Sequence, residues 1–323
     1  MKDRCTEKVH GKRIPMNILT FDVGGTEIKY VVIPDSAEIG QVRRIKTPLD
    51  SLEHYLDAIE GVYRSCGEKI DGIAMSVPGV VDPATGYQKS GGMLQFISEM
   101  NIAKIISERC DGIPVTLEND AKAAGFAELT NGTLKNARNS CMCVIGTAVG
   151  GCVIIDRKIY RSANDFAGEF SFIVFDRINK EKGETFHPVW GLRTGVHYLY
   201  QKLADRTGED VSGIDGFEFF GRANAGDPKA LEALHEFCAE MILPIANIQA
   251  VIDPEVISIG GGVSAQPIFI ETINEEYDRF MQDDFGAQLG IRKKPQIVQS
   301  TFGNKANLAG AYYNFLYQNG LAK

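Results

Sequence analysis

The chain has 323 residues, 44% of them hydrophobic and 24% charged, with a formal net charge of −8. That length suits two packed lobes, and the composition excludes a disordered chain. The acidic surplus argues against a nucleic-acid binder, which would gather Lys and Arg on one face, but leaves nucleotide binding open because backbone amides can hold phosphate.

No apolar run reaches the roughly 18 residues that a membrane span needs. Residues 1–15 are polar and basic, lack the apolar stretch of a secretory leader, and are expected to be a flexible extension. Seven scattered cysteines read as reduced thiols of a cytoplasmic protein.

The predicted elements begin with two strands, Ile18–Asp22 and Ile28–Ile33, joined by a Gly-Gly turn. Leu52, Leu56, Ile59, Val62 and Tyr63 then mark a helix within Leu49–Cys66, and Ile70–Val77 reads as a strand stopped by Pro78-Gly79. A helix over Asn101–Cys110 and a buried strand at Val115–Leu117 follow, and Asp120 opens an Ala-rich helix to about Leu129. The pattern then starts again. Cys141–Ile145 and Cys152–Ile155 flank a second glycine turn, before a long helix (Pro228–Val251), a strand (Val256–Ile259) and a Gly-Gly-Gly turn. A helix over Ile268–Met281, a strand at Gln296–Ser300 and a last helix, Lys305–Tyr317, close the chain. Strand pairs with glycine turns, given twice among helices, predict two α/β lobes around a cleft. The expected division is 16–118, joined by 305–323, against 119–304, with the crossing near Leu117–Asp120.

Phe21–Lys29 reads F-D-V-G-G-T-E-I-K. Adjacent glycines bring amides close to a ligand, Thr26 adds a hydroxyl, and Asp22 could hold a metal ion through water. A hairpin with a polar tip is the plainer alternative. Val144–Cys152 repeats the design with Gly146 and Thr147, and two such turns across a cleft can clamp a triphosphate. Ile257–Val263 ends a strand in three glycines, which either give an adenosine a bare wall to lie on or form a close strand–helix turn. Glu118–Ala121, E-N-D-A, ends a strand and starts a helix, where α/β folds place ligands. Asp120 could accept a hydroxyl proton there, or simply cap the helix.

Together with V-P-G-V-V-D (Val77–Asp82) and A-G-E-F (Ala167–Phe170), these segments stand in the order found in ROK proteins, a family of repressors and sugar kinases that the chain resembles from about Asn17 to Tyr317. The resemblance implies an actin-like ATPase (ribonuclease H-like) fold and a kinase using ATP and Mg2+, with Asp120 as base toward a sugar 6-hydroxyl. It implies sugar contacts from Asn101, Asn119, Glu169, Gly79 and Glu118. Phosphate and nucleotide contacts would come from Asp22, Gly24, Gly25, Thr26, Lys29, Gly146, Thr147, Gly260, Gly261 and Gly262. A homodimer is also implied.

The departures are specific. Ser171-Phe172 stands where the family has Gly-His, and Asn179–Arg193 lacks the cysteines of the family's zinc loop, so no zinc site is expected. Cys141-x-Cys143 reads as two buried thiols, and His187 as an ordinary histidine. Ala148 replaces a usual glycine, with strain expected if that position needs positive φ. An aromatic in the His position, with G-G-M-L-Q-F (Gly91–Phe96) and Ser300–Phe315, is similar to the family's β-glucoside kinase branch. The expected substrate is a β-glucoside of the cellobiose type or a hexose. Alternatives are a free monosaccharide alone (glucose, mannose, fructose, N-acetylmannosamine) or a non-catalytic sugar sensor. A DNA-binding repressor is disfavoured by the short segment before the first strand.

Overall fold

The computed structural model describes residues 16–174, 176–183 and 185–321. The expected extension over residues 1–15 lies outside them. Strand β1 (Asn17–Val23) is buried over nearly its whole length because helices cover both faces of its sheet. It pairs antiparallel with β2 (Glu27–Pro34), which pairs with β3 (Arg43–Lys46). Helix α1 (Leu52–Ser65) is capped by Ser51, which accepts from the His54 N–H at 3.2 Å, and buries Tyr55, Leu56, Ile59 and Val62 on one face. Then come β4 (Gly72–Val77), a two-stranded ribbon of β5 (Val80–Asp82) and β6 (Tyr87–Ser90), helix α2 (Ile102–Arg109) and β7 (Val115–Asn119). The first sheet runs β3-β2-β1-β4-β7.

Helix α3 (Asp120–Asn131) leads into β8 (Ser140–Ile145), β9 (Val149–Ile155) and β10 (Lys158–Ile159). Helices α4 (Val196–Thr207), α5 (Gly216–Asn224) and α6 (Pro228–Ile252) follow, then β11 (Val256–Gly260), α7 (Pro267–Asp283), α8 (Phe285–Gln288) and β12 (Gln296–Gln299). The second sheet runs β10-β9-β8-β11-β12. In each sheet the leading strand makes an antiparallel hairpin on one side and parallel pairs on the other. The internal duplication is therefore real, and the architecture is that of the actin-like ATPases.

Helix α9 (Ala306–Gln318) returns to the first sheet, where Leu308, Ala311, Tyr312 and Phe315 pack on Ile18, Val31, Ile33 and Ala74. Helix α3 lies against β8 and β9, with Ala124 and Leu129 on Met142, Cys152 and Ile154. The two helices cross where Gly310 meets the Ala123 carbonyl, so close that a Cβ on Gly310 would lie 1.7 Å from that oxygen. Among the described residues no helix is long and apolar enough to cross a membrane. Six described cysteines are free thiols; Cys141 and Cys143 are fully buried in the second core, and burial pushes the Cys143 thiol up to about 12. Sequence reading missed the ribbon, the short edge strands β3 and β10 and the four-residue α8, which are too short to give a run, and also left α4 and α5 unread although both are amphipathic.

Candidate active site

Neighbouring strands of the first sheet end in a polar row. The register sets Asp22 of β1 beside Ser76 of β4, and Ser76 beside Glu118 of β7. Asn119 caps α3, accepting from the Lys122 N–H at 3.1 Å and donating from Nδ2 to the Gly79 carbonyl at 2.9 Å. Capping, one possible duty of Asp120, thus belongs to its neighbour. Asp120 accepts the Ala121 N–H on Oδ1 at 2.7 Å, and among the described residues its Oδ2 has no protein partner. The surrounding protein pushes its carboxyl up to about 6, with burial as the largest cause. The Ala121 N–H opposes that push, the Asp22 and Glu169 carboxylates add to it, and the Lys122 ammonium pulls back. The side chain faces cleft water even so, and that water offsets part of the desolvation.

Asp22 is nearly buried and surrounded by donors: Lys29 at 3.3 Å, Asn307 of α9 at 2.9 Å and Ser76 at 3.4 Å. In the first glycine turn, Gly24 donates to the Glu27 carbonyl at 3.1 Å and Thr47 holds the Gly24 and Thr26 carbonyls. The amides of Gly25 and Thr26 have no backbone partner among the described residues. Met93 rests on this turn, its Sδ only 2.2 Å from where a Gly25 Cβ would stand.

The second turn closes through the Gly146 N–H to the Ala148 carbonyl at 2.9 Å, and Gly195 at the start of α4 backs directly onto Thr147. Ala148 is not among the positive-φ residues, so the strain expected there is absent. In the third turn Gly260 is buried, and a Cβ there would lie 2.4 Å from the Met142 methyl group. Gly261 needs glycine, with φ of 90° and the Ile145 carbonyl behind it. Gly262 alone borders open space.

Two other expected contacts are differently employed. Glu118 is fully buried and paired with Arg161, which braces the strand–helix junction. Asn101 caps α2, accepting from the Lys104 N–H and donating to the Thr85 carbonyl, each at 2.9 Å. Among the described residues no hydrogen bond joins it to Asp120 or Glu169. For both, the sequence shows a polar residue at an element end but not which way it turns.

Glu169 does join the cluster. Its Oε1 accepts from Lys122 Nζ at 3.0 Å and its side chain is 22% exposed. Ser171, in the family's glycine position, bonds both the N–H and the carbonyl of Val149. Phe172 is 57% exposed, with its ring 5.5 Å from that of Phe166. Both rings line an apolar cavity of ≈ 660 Å³ that Glu169 also borders. His187 accepts the Ile178 N–H at 3.0 Å in an exposed loop. Lys122, Met93, Ser76 and Asn307 escaped the sequence reading.

A sequence profile of the ROK family matches residues 18–317. A β-glucoside kinase from Listeria innocua is 29% identical over 94% of this chain and 98% of its own length. An N-acetyl-D-glucosamine kinase from Mannheimia succiniciproducens is 25% identical over 92% and 98%. The crystal structure of a ROK family protein from Streptococcus pneumoniae in complex with sucrose superposes with a TM-score of 0.80, at 29% identity, covering 94% of this chain and 99% of that one.

Proposed function

The chain belongs to the ROK family and is a sugar kinase, and from that premise we propose that it transfers the γ-phosphoryl group of ATP to the 6-hydroxyl of a hexose or β-glucoside. One observation carries this: Asp120 presents a carboxylate oxygen without a partner among the described residues between the two lobes, at the ends of the strands that also carry Asp22 and the first glycine turn. The lobes are 16–118 with the returning α9, and 119–304, hinged at Leu117–Asp120.

The amides of Gly25, Thr26, Thr147 and Ala148 are placed to receive phosphate oxygens from either lobe, and Gly262 leaves room for the adenosine. Lys29 would sit beside the phosphates once a competing cation relieves Asp22. Mg2+ would be held at that corner through water on the Asp22 carboxylate, a hard oxygen donor, in place of the Lys29 ammonium that now lies 3.3 Å from Oδ2. When bound, it would neutralise phosphate charge. Asp120 accepts the 6-hydroxyl hydrogen and aims the oxygen at phosphorus; in so loose a transition state, orientation is its main service. Glu169 and Asn119 hold the sugar. Closure of the cleft expels the water that would otherwise accept phosphate.

The missing His and the exposed Phe172 favour a β-glucoside, whose second ring would extend toward the Phe166–Phe172 cavity. Coupled ADP release with Mg-ATP tests this across glucose, mannose, fructose, N-acetylmannosamine, cellobiose and gentiobiose. Turnover of the disaccharides is expected. Turnover of monosaccharides alone would overturn the role given to Phe172, and silence on every sugar would overturn the kinase assignment for a binding role.

The partner is a second copy of this chain. Val251 of α6, 84% exposed, borders the same cavity, and Leu243, 50% exposed, borders the adjoining one, giving apolar positions at helical spacing. Sedimentation should show a dimer that Val251→Asp dissociates; a monomer in the unmodified protein would discard the interface.

A further inference from the structure

Lys122 is an unusual residue for its place. It lies on the buried side of α3, two residues after Asp120, with its side chain only 4% exposed. An ammonium so placed is costly unless every donor finds a partner. Its Nζ donates to Glu169 Oε1 at 3.0 Å and to the Asp165 carbonyl at 3.3 Å. Asp165 in turn is held on its other side by Lys89 of β6, whose Nζ lies 2.5 Å from Oδ2. Asp165 has a φ of 56°, an uncommon backbone state for a residue with a side chain, held here from two directions.

The segment carrying Asp165 and Glu169 is thereby fastened at both ends. Arg161 pairs with buried Glu118, and Ser162 Oγ accepts the amides of Phe166 and Ala167. Lys89 and Glu118 come from the first lobe, and Glu169 lies against β9 of the second through Gly168 and Gly151. A line of bonds, Lys89–Asp165–Lys122–Glu169, therefore runs from one lobe to the carboxylate assigned to the sugar in the other.

Resting on the assignment of Glu169 to the sugar, we propose that Lys122 is a positioning residue that fixes the Glu169 carboxylate, and that Lys89 ties this setting to the first lobe through Asp165. Lys122 need not touch the sugar. It occupies Oε1, which leaves Oε2 to receive a sugar hydroxyl in one orientation. Its charge also stands among three carboxylates, Asp22, Asp120 and Glu169, and lowers the proton affinity of Asp120.

The test is steady-state kinetics of the full chain with Mg-ATP and cellobiose or glucose, whichever turns over. Lys122→Met should raise the sugar KM about 10- to 100-fold, as expected for a lost charge-assisted hydrogen bond, and leave the ATP KM unchanged. The acid limb of kcat/KM should move to higher pH, because removing a cation favours the protonated base. Lys122→Arg should restore part of both. An unchanged sugar KM and acid limb in Lys122→Met would overturn the proposal. Lys89→Ala, at the partly exposed outer end, covers the case in which Lys122→Met does not fold: a raised sugar KM supports the line of bonds, and an unchanged one overturns it. Glu169→Gln separates the layers. If it leaves the sugar KM untouched, the assignment of Glu169 fails; if it raises KM while the lysine variants do not, only the positioning role fails.

Discussion

Asp120→Asn is expected to lower kcat by about 10²- to 10⁴-fold, the range associated with removing a positioned general base. The amide keeps the shape of the side chain and can still accept the Ala121 N–H on its oxygen. What it loses is the charge that draws the sugar hydroxyl hydrogen. Sugar and ATP KM values should move little, since Asn119 and Glu169 and the glycine turns remain. A variant retaining more than about a tenth of the activity would remove Asp120 from the role of base.

The same substitution has a distinct signature in stability. Asp120 has a folded-state pKa raised to about 6 from the ordinary aspartate value by desolvation in the cleft and by neighbouring carboxylates, an effect that its exposure to cleft water reduces. A carboxyl raised in the folded state contributes stability while protonated, and that contribution is lost as pH rises through about 6. Above that pH the ionised side chain opposes folding. Asp120→Asn should therefore melt at the same temperature as the unmodified protein or higher at pH 8, with the difference fading toward pH 4. Lost activity with retained or increased stability separates a chemical role from a folding defect. In the unmodified enzyme, kcat/KM should fall as pH drops through the region of 6, because the free enzyme needs the carboxylate.

How much of this was legible in the sequence depends on the kind of feature. The glycine turns and the E-N-D-A junction could be found because each is a local statement: adjacent glycines at a strand end, or an acid where a strand gives way to a helix. Glu118, Asn119 and Asp120 were legible as a group but not as individuals. Three consecutive polar residues there have three fates: an ion pair beneath the surface, a helix cap, and a carboxylate in the cleft. Strand alternation and the turn into α3 decide among them, and both depend on a register that only pairing with β4 sets. Asn101 shows the same limit, since an Asn before a helix is a good cap whatever else it could bind. Lys122 and Asn307 stayed hidden because their partners are 47 and 285 residues away. Distance along the chain, rather than weak chemistry, separates what could be read from what could not.

The crossing of α3 and α9 gives the largest expected effect on stability. Gly310 is buried, and a Cβ there would stand 1.7 Å from the Ala123 carbonyl oxygen and 2.3 Å from its carbon, both backbone atoms that cannot rotate away. Two opposed effects meet in Gly310→Ala. Replacing glycine within a helix favours the folded state by up to about 1 kcal/mol. Overpacking a closed core costs about 1–3 kcal/mol, and more where whole helices must part. The clash should win, because relieving it requires α9 to move off α3 by more than an ångström while Leu308, Tyr312 and Phe315 stay seated on the first sheet. Gly61, exposed within α1 with open space where a Cβ would stand, is the matched control: Gly61→Ala should raise the melting temperature while Gly310→Ala lowers it. If both rise together, the helices are not in contact in solution. The site should feel the displacement too. Ala123 is three residues beyond Asp120 on α3, so surviving Gly310→Ala enzyme should turn over more slowly than its folded fraction accounts for. A rate in proportion to that fraction would show that the crossing supports the fold without setting the position of the base.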